Sequence, residues 1–189
     1  MKINLYDFDN TIYQGDSSTD FFFYSLMKYP IIIKVIPKII INAIKYKTKY
    51  ISKTEMKENI FSFLKYIPNI DQHVLDFWNT HECYIKDFYI AKKHDKDIII
   101  SASPEFLLNP IIERLNVLDF MGSRVNKKNG KFKGLNCHGE EKVKRLNAKY
   151  KEYTVLESYS DSKSDIPILR LAKKQYIVKG KKLIPSNFK

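Results

Sequence analysis

The sequence predicts an α/β protein in which a doubly wound parallel sheet carries a long helical insertion after its first strand. Short apolar segments that end at polar residues alternate with helical segments, as in a parallel sheet with helices on its faces. Residues 17–94 interrupt this alternation because they show helical periodicity only. The 189 residues are 44% hydrophobic and 29% charged, which suits one globular domain and excludes a disordered chain.

The first strand is predicted over residues 3–8, a short apolar run that ends at acidic residues. Within the insertion, aromatic and aliphatic residues recur at helical spacing over 54–66 and 71–93, and prolines separate the helices. This block is too long for a simple crossover between two strands, so we expect it to form an inserted cap.

The alternation of strands and helices returns after residue 94. Pro104 suits the first turn of the helix after the second strand, and Asn129-Gly130 is a typical hairpin turn. The elements predicted in this part are a strand over 97–100, a helix to about 115, a hairpin over 123–133, a helix over 140–149, a strand over 154–159, a helix over 165–171 and a strand over 175–178.

The charge and the cysteine content of the chain limit its possible binding partners and indicate its redox environment. An excess of 33 basic over 21 acidic residues would attract nucleic acid, anionic lipid or phosphorylated metabolites, although a solvated lysine-rich surface has the same composition. The two cysteines, Cys83 and Cys137, lie far apart and form no C-x-x-C pattern. We therefore expect a reduced, cytoplasmic protein without structural zinc.

Neither a targeting segment nor a transmembrane helix is expected. The acidic residues after the first strand are incompatible with a secretory signal. Residues 21–44 are the most membrane-like stretch, but lysines and prolines interrupt it before it reaches the ~18 uncharged apolar residues of a span. This stretch does not cross a bilayer by itself, whereas a peripheral membrane contact stays open.

Polar residues follow three of the predicted strands, at the edge where open α/β sheets bind their ligands. Asp7 and Asp9 end the first strand, and Ser101 ends the second. Asp161 follows a third strand, and Lys142 lies on the helix before it. Clustered carboxylates need a neutralising cation, and oxygen ligands suit Mg²⁺. Carboxylates, a metal, a lysine and a hydroxyl together form a site for a phosphoryl group.

These residues stand in four segments that resemble the four motifs of the haloacid dehalogenase superfamily, in the same order and at strand ends. The segments are Asp7-Phe8-Asp9-Asn10-Thr11, Ser101-Ala102-Ser103, Lys142 and Asp161-Ser162-Lys163-Ser164-Asp165. The similarity is greatest to the phosphoserine-phosphatase-like branch, subfamily IB, whose members carry a helical cap just after the first motif. The resemblance implies a catalytic core of residues 1–16 and 95–189 and a cap of residues 17–94.

The resemblance also implies covalent catalysis by two aspartates. Asp7 would be the nucleophile that attacks phosphorus and forms an aspartyl-phosphate. Asp9 would protonate the leaving alkoxide and would then act as the base for the hydrolytic water. Mg²⁺ would be bound by the carboxylates of Asp7 and Asp161 and by the backbone carbonyl of Asp9.

The remaining motif residues would hold the phosphate and the catalytic groups in place. Thr11 would steady the loop after the nucleophile, while Ser101 and the amide of Ala102 would bind phosphate oxygens. Lys142 would neutralise charge on the transferring group. Asp165 would orient Lys142 or a metal-bound water.

The resemblance therefore favours a Mg²⁺-dependent phosphomonoester phosphatase that acts on a small-molecule phosphate ester. A phosphotransferase of the same fold is the alternative enzyme, and a non-catalytic phosphate- or nucleic-acid-binding protein is the alternative of another class. Nucleic acid is not the expected partner, because the chain lacks the interleaved basic and aromatic residues of known nucleic-acid modules.

Phosphoserine itself fits the sequence less well than a hydrophobic or lipid-linked phosphate. Relatives that hydrolyse phosphoserine carry a glutamate shortly after the first motif and an arginine in the cap. This chain has Asp16 near the first of these places and no arginine from residue 17 to residue 94. Lys57 or Lys65 could replace the arginine, but without its bidentate geometry. The aromatic and isoleucine-rich cap thus predicts an amphiphilic substrate.

Overall fold

Six strands form one sheet in the computed structural model, which describes residues 1–188. They are β1 (Lys2–Tyr6), β2 (Asp97–Pro104), β3 (Asp119–Ser123), β4 (Thr154–Ser160), β5 (Ala172–Lys179) and β6 (Lys182–Ser186). Their order across the sheet is β3-β2-β1-β4-β5-β6, and every neighbouring pair is parallel except β5 and β6. The predicted parallel α/β class is confirmed, and the residues after β1 lie at the centre of the carboxyl edge.

The helical insertion between β1 and β2 was also predicted, and it contains five α-helices. These are α1 (Ser17–Lys28), α2 (Ile36–Lys47), α3 (Lys53–Phe61), α4 (Ile70–His81) and α5 (Asp87–Lys92), with 3₁₀ turns at Pro30–Val35, Ser62–Tyr66 and Glu82–Tyr84. Three further helices follow β2, namely α6 (Glu105–Leu115), α7 (Glu140–Lys149) and α8 (Ile166–Leu169), the last preceded by a 3₁₀ turn at Lys163–Asp165. Within residues 1–188 no helix is both long and apolar enough to cross a membrane.

Local side-chain chemistry determines where the insertion begins its helices. The Asp16 carboxylate accepts a hydrogen bond from the Thr19 amide at 2.8 Å, which caps the first turn of α1. Ser52 and Glu55 form a reciprocal capping box at the start of α3. Both caps satisfy amide groups that a helix leaves free at its N-terminus.

The sheet separates two apolar clusters, because alternate residues of a strand point to opposite faces. Ile3 and Leu5 of β1 belong to one cluster, with the helices α7 and α8. Tyr6 belongs to the other cluster, which continues through α6 into the insertion and includes the fully buried Phe77 and Trp78. Helices therefore cover both faces of the sheet, as the prediction of a doubly wound fold requires.

Some element boundaries differ from the sequence prediction. The segment predicted as helical over 71–93 is interrupted where the backbone around Ile85 pairs with Tyr13, in the loop after β1. The strand β3 was not predicted, since the hairpin was expected to begin at residue 123, and that hairpin is reduced to one bridge between Val125 and Phe132. The strand β6 was also missed; it contains a proline, which an edge strand tolerates.

Candidate active site

A cavity of about 470 Å³ opens at the carboxyl edge of the sheet, beneath the insertion. Side chains from all four predicted motif segments line its floor or lie just below it. The lining residues from the sheet side include Asp7, Asp9, Asn10, Ala102, Ser103, His138, Lys142, Asp161 and Asp165, and those from the insertion include Ser18, Phe22, Phe23, Ile39, Lys53, Met56, Lys57, Ile60 and Phe61. The sheet side of the cavity is therefore acidic and polar, whereas the insertion supplies the apolar half of the lining, which also carries Lys53 and Lys57.

Lys142 joins two carboxylates at the floor of the cavity. Its Nζ atom lies 2.6 Å from Asp7 Oδ1 and 2.8 Å from Asp165 Oδ2, and its side chain is almost wholly buried. Burial alone would lower the pKa of Lys142, but the two neighbouring carboxylates outweigh burial and raise it. Lys142 therefore keeps its positive charge inside the protein.

Asp7 stands at the end of β1, where its amide donates to the Tyr159 carbonyl of β4 at 2.9 Å. Burial raises the pKa of Asp7 to about 8, while Lys142 opposes this rise and Asp165 adds to it. The second oxygen of Asp165, Oδ1, is buried without a hydrogen-bond partner among the described residues. Lys142 alone therefore does not fully stabilise the ionised form of Asp7 beside Asp165, and a further cation would favour that form.

Asp9 is held in a different way, by hydrogen bonds from neutral donors. Its carboxylate accepts the Ser17 amide at 2.7 Å and the Ser103 hydroxyl at 2.5 Å. Burial raises the pKa of Asp9, and the nearby Asp16 raises it further, whereas the two serines oppose the change. Asp9 consequently holds a proton more readily than an ordinary aspartate does, which is the property of a general acid.

Thr11 and Ser101 lie beneath the cavity wall and do not line it. The Thr11 hydroxyl accepts the Asp161 amide at 2.9 Å and so connects the loops after β1 and β4. Ser101 is fully buried, and its hydroxyl accepts the Ser103 amide at 3.0 Å. Ala102 does line the cavity, together with Ser103 of the same segment.

The acidic residues of the site form an oxygen donor set that fits Mg²⁺. Asp7 and Asp161 both line the cavity, and burial raises the pKa of Asp161 as it does that of Asp7. Within the described chain no group of three or more His, Cys, Asp or Glu side chains could hold a metal ion. The carboxylates of Asp7 and Asp161 are a smaller set, and Mg²⁺ normally completes such a set with other oxygen ligands and water.

Two lysines and a histidine complete the cavity and had no predicted role in catalysis. Lys57 donates to the Ala102 carbonyl at 3.1 Å and to Asn136 Oδ1 at 3.3 Å, and burial lowers its pKa. Lys53 Nζ lies 2.9 Å from His138 Nε2. The spacing of Lys53 and Lys57, four residues apart on one helix, was the available signal, because it places both on one side of α3.

Comparison with known proteins identifies the family to which the chain belongs. Residues 5–170 match the family described as haloacid dehalogenase-like hydrolase. The chain belongs to this family. The match includes all four motif segments and confirms the expected enzyme class, a hydrolase, together with the resemblance on which that expectation rested.

Solved structures show the fold of this hydrolase in several distant relatives. A protein of unknown function from Bordetella pertussis has a TM-score of 0.73 at 15% identity, and the match covers 92% of this chain and 88% of the other. A phosphoserine phosphohydrolase-like protein from Francisella tularensis has a TM-score of 0.58 at 18% identity, with 93% and 86% covered. A probable phosphoserine phosphatase from Vibrio cholerae has a TM-score of 0.68 at 12% identity, with 93% and 55% covered. No curated protein matches the sequence.

Proposed function

We propose that this hydrolase is a Mg²⁺-dependent phosphomonoester phosphatase that acts through an aspartyl-phosphate on Asp7. The observation that carries the proposal is the pairing of Asp7 with the buried Lys142 in a cavity that also contains Asp9. The fold shared with phosphoserine phosphatase-like proteins supports a phosphatase among the reactions of the family. A protein that merely binds anions would gain nothing from three carboxylates beside the anion.

The proposed reaction has two displacement steps. An oxygen of Asp7 attacks phosphorus, and the ester oxygen departs with the proton that Asp9 carried. Asp9, now deprotonated, takes a proton from water as that water attacks the phosphoryl group on Asp7. The P–O bond to Asp7 then breaks, so that inorganic phosphate leaves and both aspartates return to their starting states.

The surrounding residues hold charge in place during these steps. Lys142 keeps Asp7 oriented and adds positive charge beside the transferring group, while Asp165 positions Lys142. Ala102 and Ser103 line the cavity where phosphate oxygens would lie, and Ser101 supports them from below through the Ser103 amide. The carboxylates of Asp7 and Asp161 and the Asp9 carbonyl would hold Mg²⁺, which supplies further positive charge for the phosphoryl oxygens when bound.

The proposal also includes the division of the chain into a catalytic core and a cap, and its cytoplasmic location. Residues 1–16 and 95–189 would be the catalytic core, and residues 17–94 the cap that excludes water from the cavity. Cys83 and Cys137 are free thiols, which suits a cytoplasmic enzyme.

The apolar half of the cavity supports a substrate that carries an apolar group. Phe22, Phe23 and Ile39 line this half, and the nearest cationic groups are lysines, which lack the bidentate geometry of arginine. A small amphiphilic phosphomonoester satisfies both halves, since its phosphate would lie beside Asp7 and its apolar part beside the aromatic rings.

The proposal is tested by assaying the purified chain for release of inorganic phosphate from an aryl phosphate, with Mg²⁺ and with a chelator. We expect release with Mg²⁺, loss of release with the chelator and recovery when Mg²⁺ is added in excess. Transfer of phosphate to an added alcohol, with little free phosphate, would instead identify a phosphotransferase. Binding of phosphate esters without any turnover would contradict both enzymatic functions.

A further inference from the structure

Six of the exposed large apolar side chains of the insertion stand on three consecutive elements, and five of them do not line the cavity. They are Phe23 and Met27 of α1, Ile33 of the following 3₁₀ turn, and Ile40, Ile41 and Ile44 of α2, here called the exposed apolar face. The exposed fraction reaches 74% for Met27 and 61% for Ile33. Single exposed apolar residues are ordinary, but a series on consecutive elements marks an interaction surface.

The helix α2 shows how this face is built. Ile40, Ile41 and Ile44 stand at helical spacing, so they lie on one side of the helix. The opposite side buries Asn42 and packs Ile39 against the apolar cluster of the insertion. The helix thus uses one side for packing within the protein and presents its isoleucines to solvent.

The segment that carries the exposed apolar face is rich in lysine. Residues 21–54 contain seven lysines and no aspartate or glutamate. Lys38 and Lys45 are exposed on α2 on either side of Ile41 in the sequence, one turn away from it in each direction. An apolar stripe beside lysines is the arrangement of helices that lie in the surface of an anionic membrane, because the lysine stems cover apolar groups while their ammonium groups reach the headgroups.

We propose that the exposed apolar face binds the surface of an anionic lipid bilayer. A second copy of this chain fits the face less well, since a two-fold interface would bring the lysines of one copy against those of the other. Nucleic acid would pair with the lysines but would leave the isoleucines without an apolar partner. A bilayer with anionic headgroups complements both kinds of side chain.

The exposed apolar face also adjoins the cavity. Phe23 belongs to the face and lines the cavity, and Ile39 lines it from the packed side of α2. A chain bound through this face would have its cavity next to the lipid surface, where amphiphilic esters are concentrated. Membrane binding goes beyond the proposed function and does not depend on catalysis, so it can be measured without any substrate.

The test is co-sedimentation of the full chain with vesicles of phosphatidylcholine, with and without phosphatidylglycerol. We expect binding to the vesicles that contain phosphatidylglycerol and weaker binding as the salt concentration rises. The double change Lys38→Glu and Lys45→Glu should weaken binding by at least about twenty-fold, since each lysine near an anionic surface contributes about five-fold. Removing apolar area with Ile40→Ser and Ile44→Ser should weaken it by at least about ten-fold.

Matched control variants carry the same changes elsewhere on the surface. Lys151→Glu with Lys173→Glu, and Leu118→Ser with Ile184→Ser, alter exposed residues outside the insertion and should bind vesicles more strongly than the test variants by the same margins. Circular dichroism and thermal melting establish that every variant is folded. The test variants should still hydrolyse a water-soluble aryl phosphate at the rate of the unaltered chain, and Asp7→Asn should still bind vesicles.

Three results would overturn the proposal. The unaltered chain could fail to bind vesicles that contain phosphatidylglycerol at low salt. The test variants could bind as strongly as their matched controls. Sedimentation could instead show dimers of the unaltered chain that Ile40→Ser and Ile44→Ser abolish, in which case a second copy covers the face. None of these results bears on phosphatase activity, so failure of the two proposals is distinguishable.

Discussion

Lys142 holds a single positive charge between the buried carboxylates of Asp7 and Asp165. Replacement by methionine would leave both carboxylates in the interior without a cation. We expect Lys142→Met to lower the free energy of unfolding by about 3–5 kcal/mol at neutral pH, as measured by urea denaturation. The matched control is Lys144→Met on the same helix, where the side chain is exposed and the change should be within about 0.5 kcal/mol. Equal stability of the two variants would contradict a structural role for this ion pair.

A substitution at Asp7 should remove catalytic activity without affecting folding. Asn occupies the same space and removes the nucleophilic oxygen charge, so Asp7→Asn should fold normally and lose at least about three orders of magnitude in kcat/KM. The measurement is Mg²⁺-dependent hydrolysis of an aryl phosphate. Asp71→Asn, a change of the same kind at an exposed site paired with Lys127, should retain full activity. Undiminished hydrolysis by Asp7→Asn would remove the basis of the proposed mechanism.

Asp9 differs from Asp7 in that its loss should affect the second step more than the first. A substrate with a good leaving group needs no proton from Asp9, but the hydrolytic water still needs a base. Asp9→Asn should therefore accumulate phosphate on Asp7 from an aryl phosphate, while steady-state turnover falls. Rapid quenching followed by peptide mass analysis would detect the modified aspartate. Slow turnover without any phosphorylated Asp7 would argue against a covalent intermediate.

At the scale of elements, a buried histidine links α4 to α1. The His73 ring packs against Phe21, Tyr24 and Tyr29, and its Nε2 atom lies 2.9 Å from the Ser25 hydroxyl. Burial lowers the pKa of His73 below its usual value. Below about pH 6.5 the unfolded chain therefore binds a proton that the folded chain resists, and this contribution to stability is lost as the pH falls.

We expect the contribution of His73 to the free energy of unfolding to decline as the pH falls below about 6.5. His73→Gln keeps a hydrogen-bonding group near Ser25 but cannot take up a proton in this range, so the free energy of unfolding of this variant should lack the decline that His73 causes. The exposed His94→Gln is the control and should follow the profile of the unaltered chain. Urea denaturation at a series of pH values provides the comparison. Parallel profiles for His73→Gln and the unaltered chain would show that the histidine does not titrate with unfolding.

The elements that sequence reasoning predicted are those with a strong local pattern. β1 and β2 are largely buried, and apolar residues predominate over 3–6 and 98–100. β3 has no such run, because it contains aspartate, glycine and serine, and only its pairing with β2 makes it a strand. The break before α5 likewise depends on a distant contact, between Ile85 and Tyr13.

The candidate site likewise combines features with a local sequence signal and features that depend on distant contacts. Polar residues at strand ends predicted which side chains share the cavity floor, and the structure brings Asp7, Lys142 and Asp165 into contact. The choice between Ser101 and Ser103 could not be predicted, since the register of β2 against β3 shifts between residues 100 and 104 and so determines which hydroxyl faces the cavity. Lys53 lines the cavity only because the insertion folds back over the sheet.

At the scale of the whole molecule, the cavity combines an acidic floor from the core with an apolar lining from the insertion. Each additional methylene that the lining accepts should contribute about 0.8 kcal/mol to binding. Four methylenes should then raise kcat/KM by about two orders of magnitude, provided that the binding is kept in the transition state. The measurement is a series of alkyl phosphates below their micelle thresholds, with phosphoserine for comparison. A flat series, or a clear preference for phosphoserine, would contradict an apolar substrate and leave the phosphatase proposal intact.

The central position of β1 has a consequence for how the chain is made. β1 is synthesised before the other five strands of its sheet, yet Asn4 pairs with Asp97 and Lys2 with Thr154. Because both partners come from distant parts of the chain, closing these pairs carries a high loop entropy and slows folding. During translation β1 remains an unpaired apolar strand while the whole insertion emerges, so it is the segment of the nascent chain that most needs protection from association with other molecules.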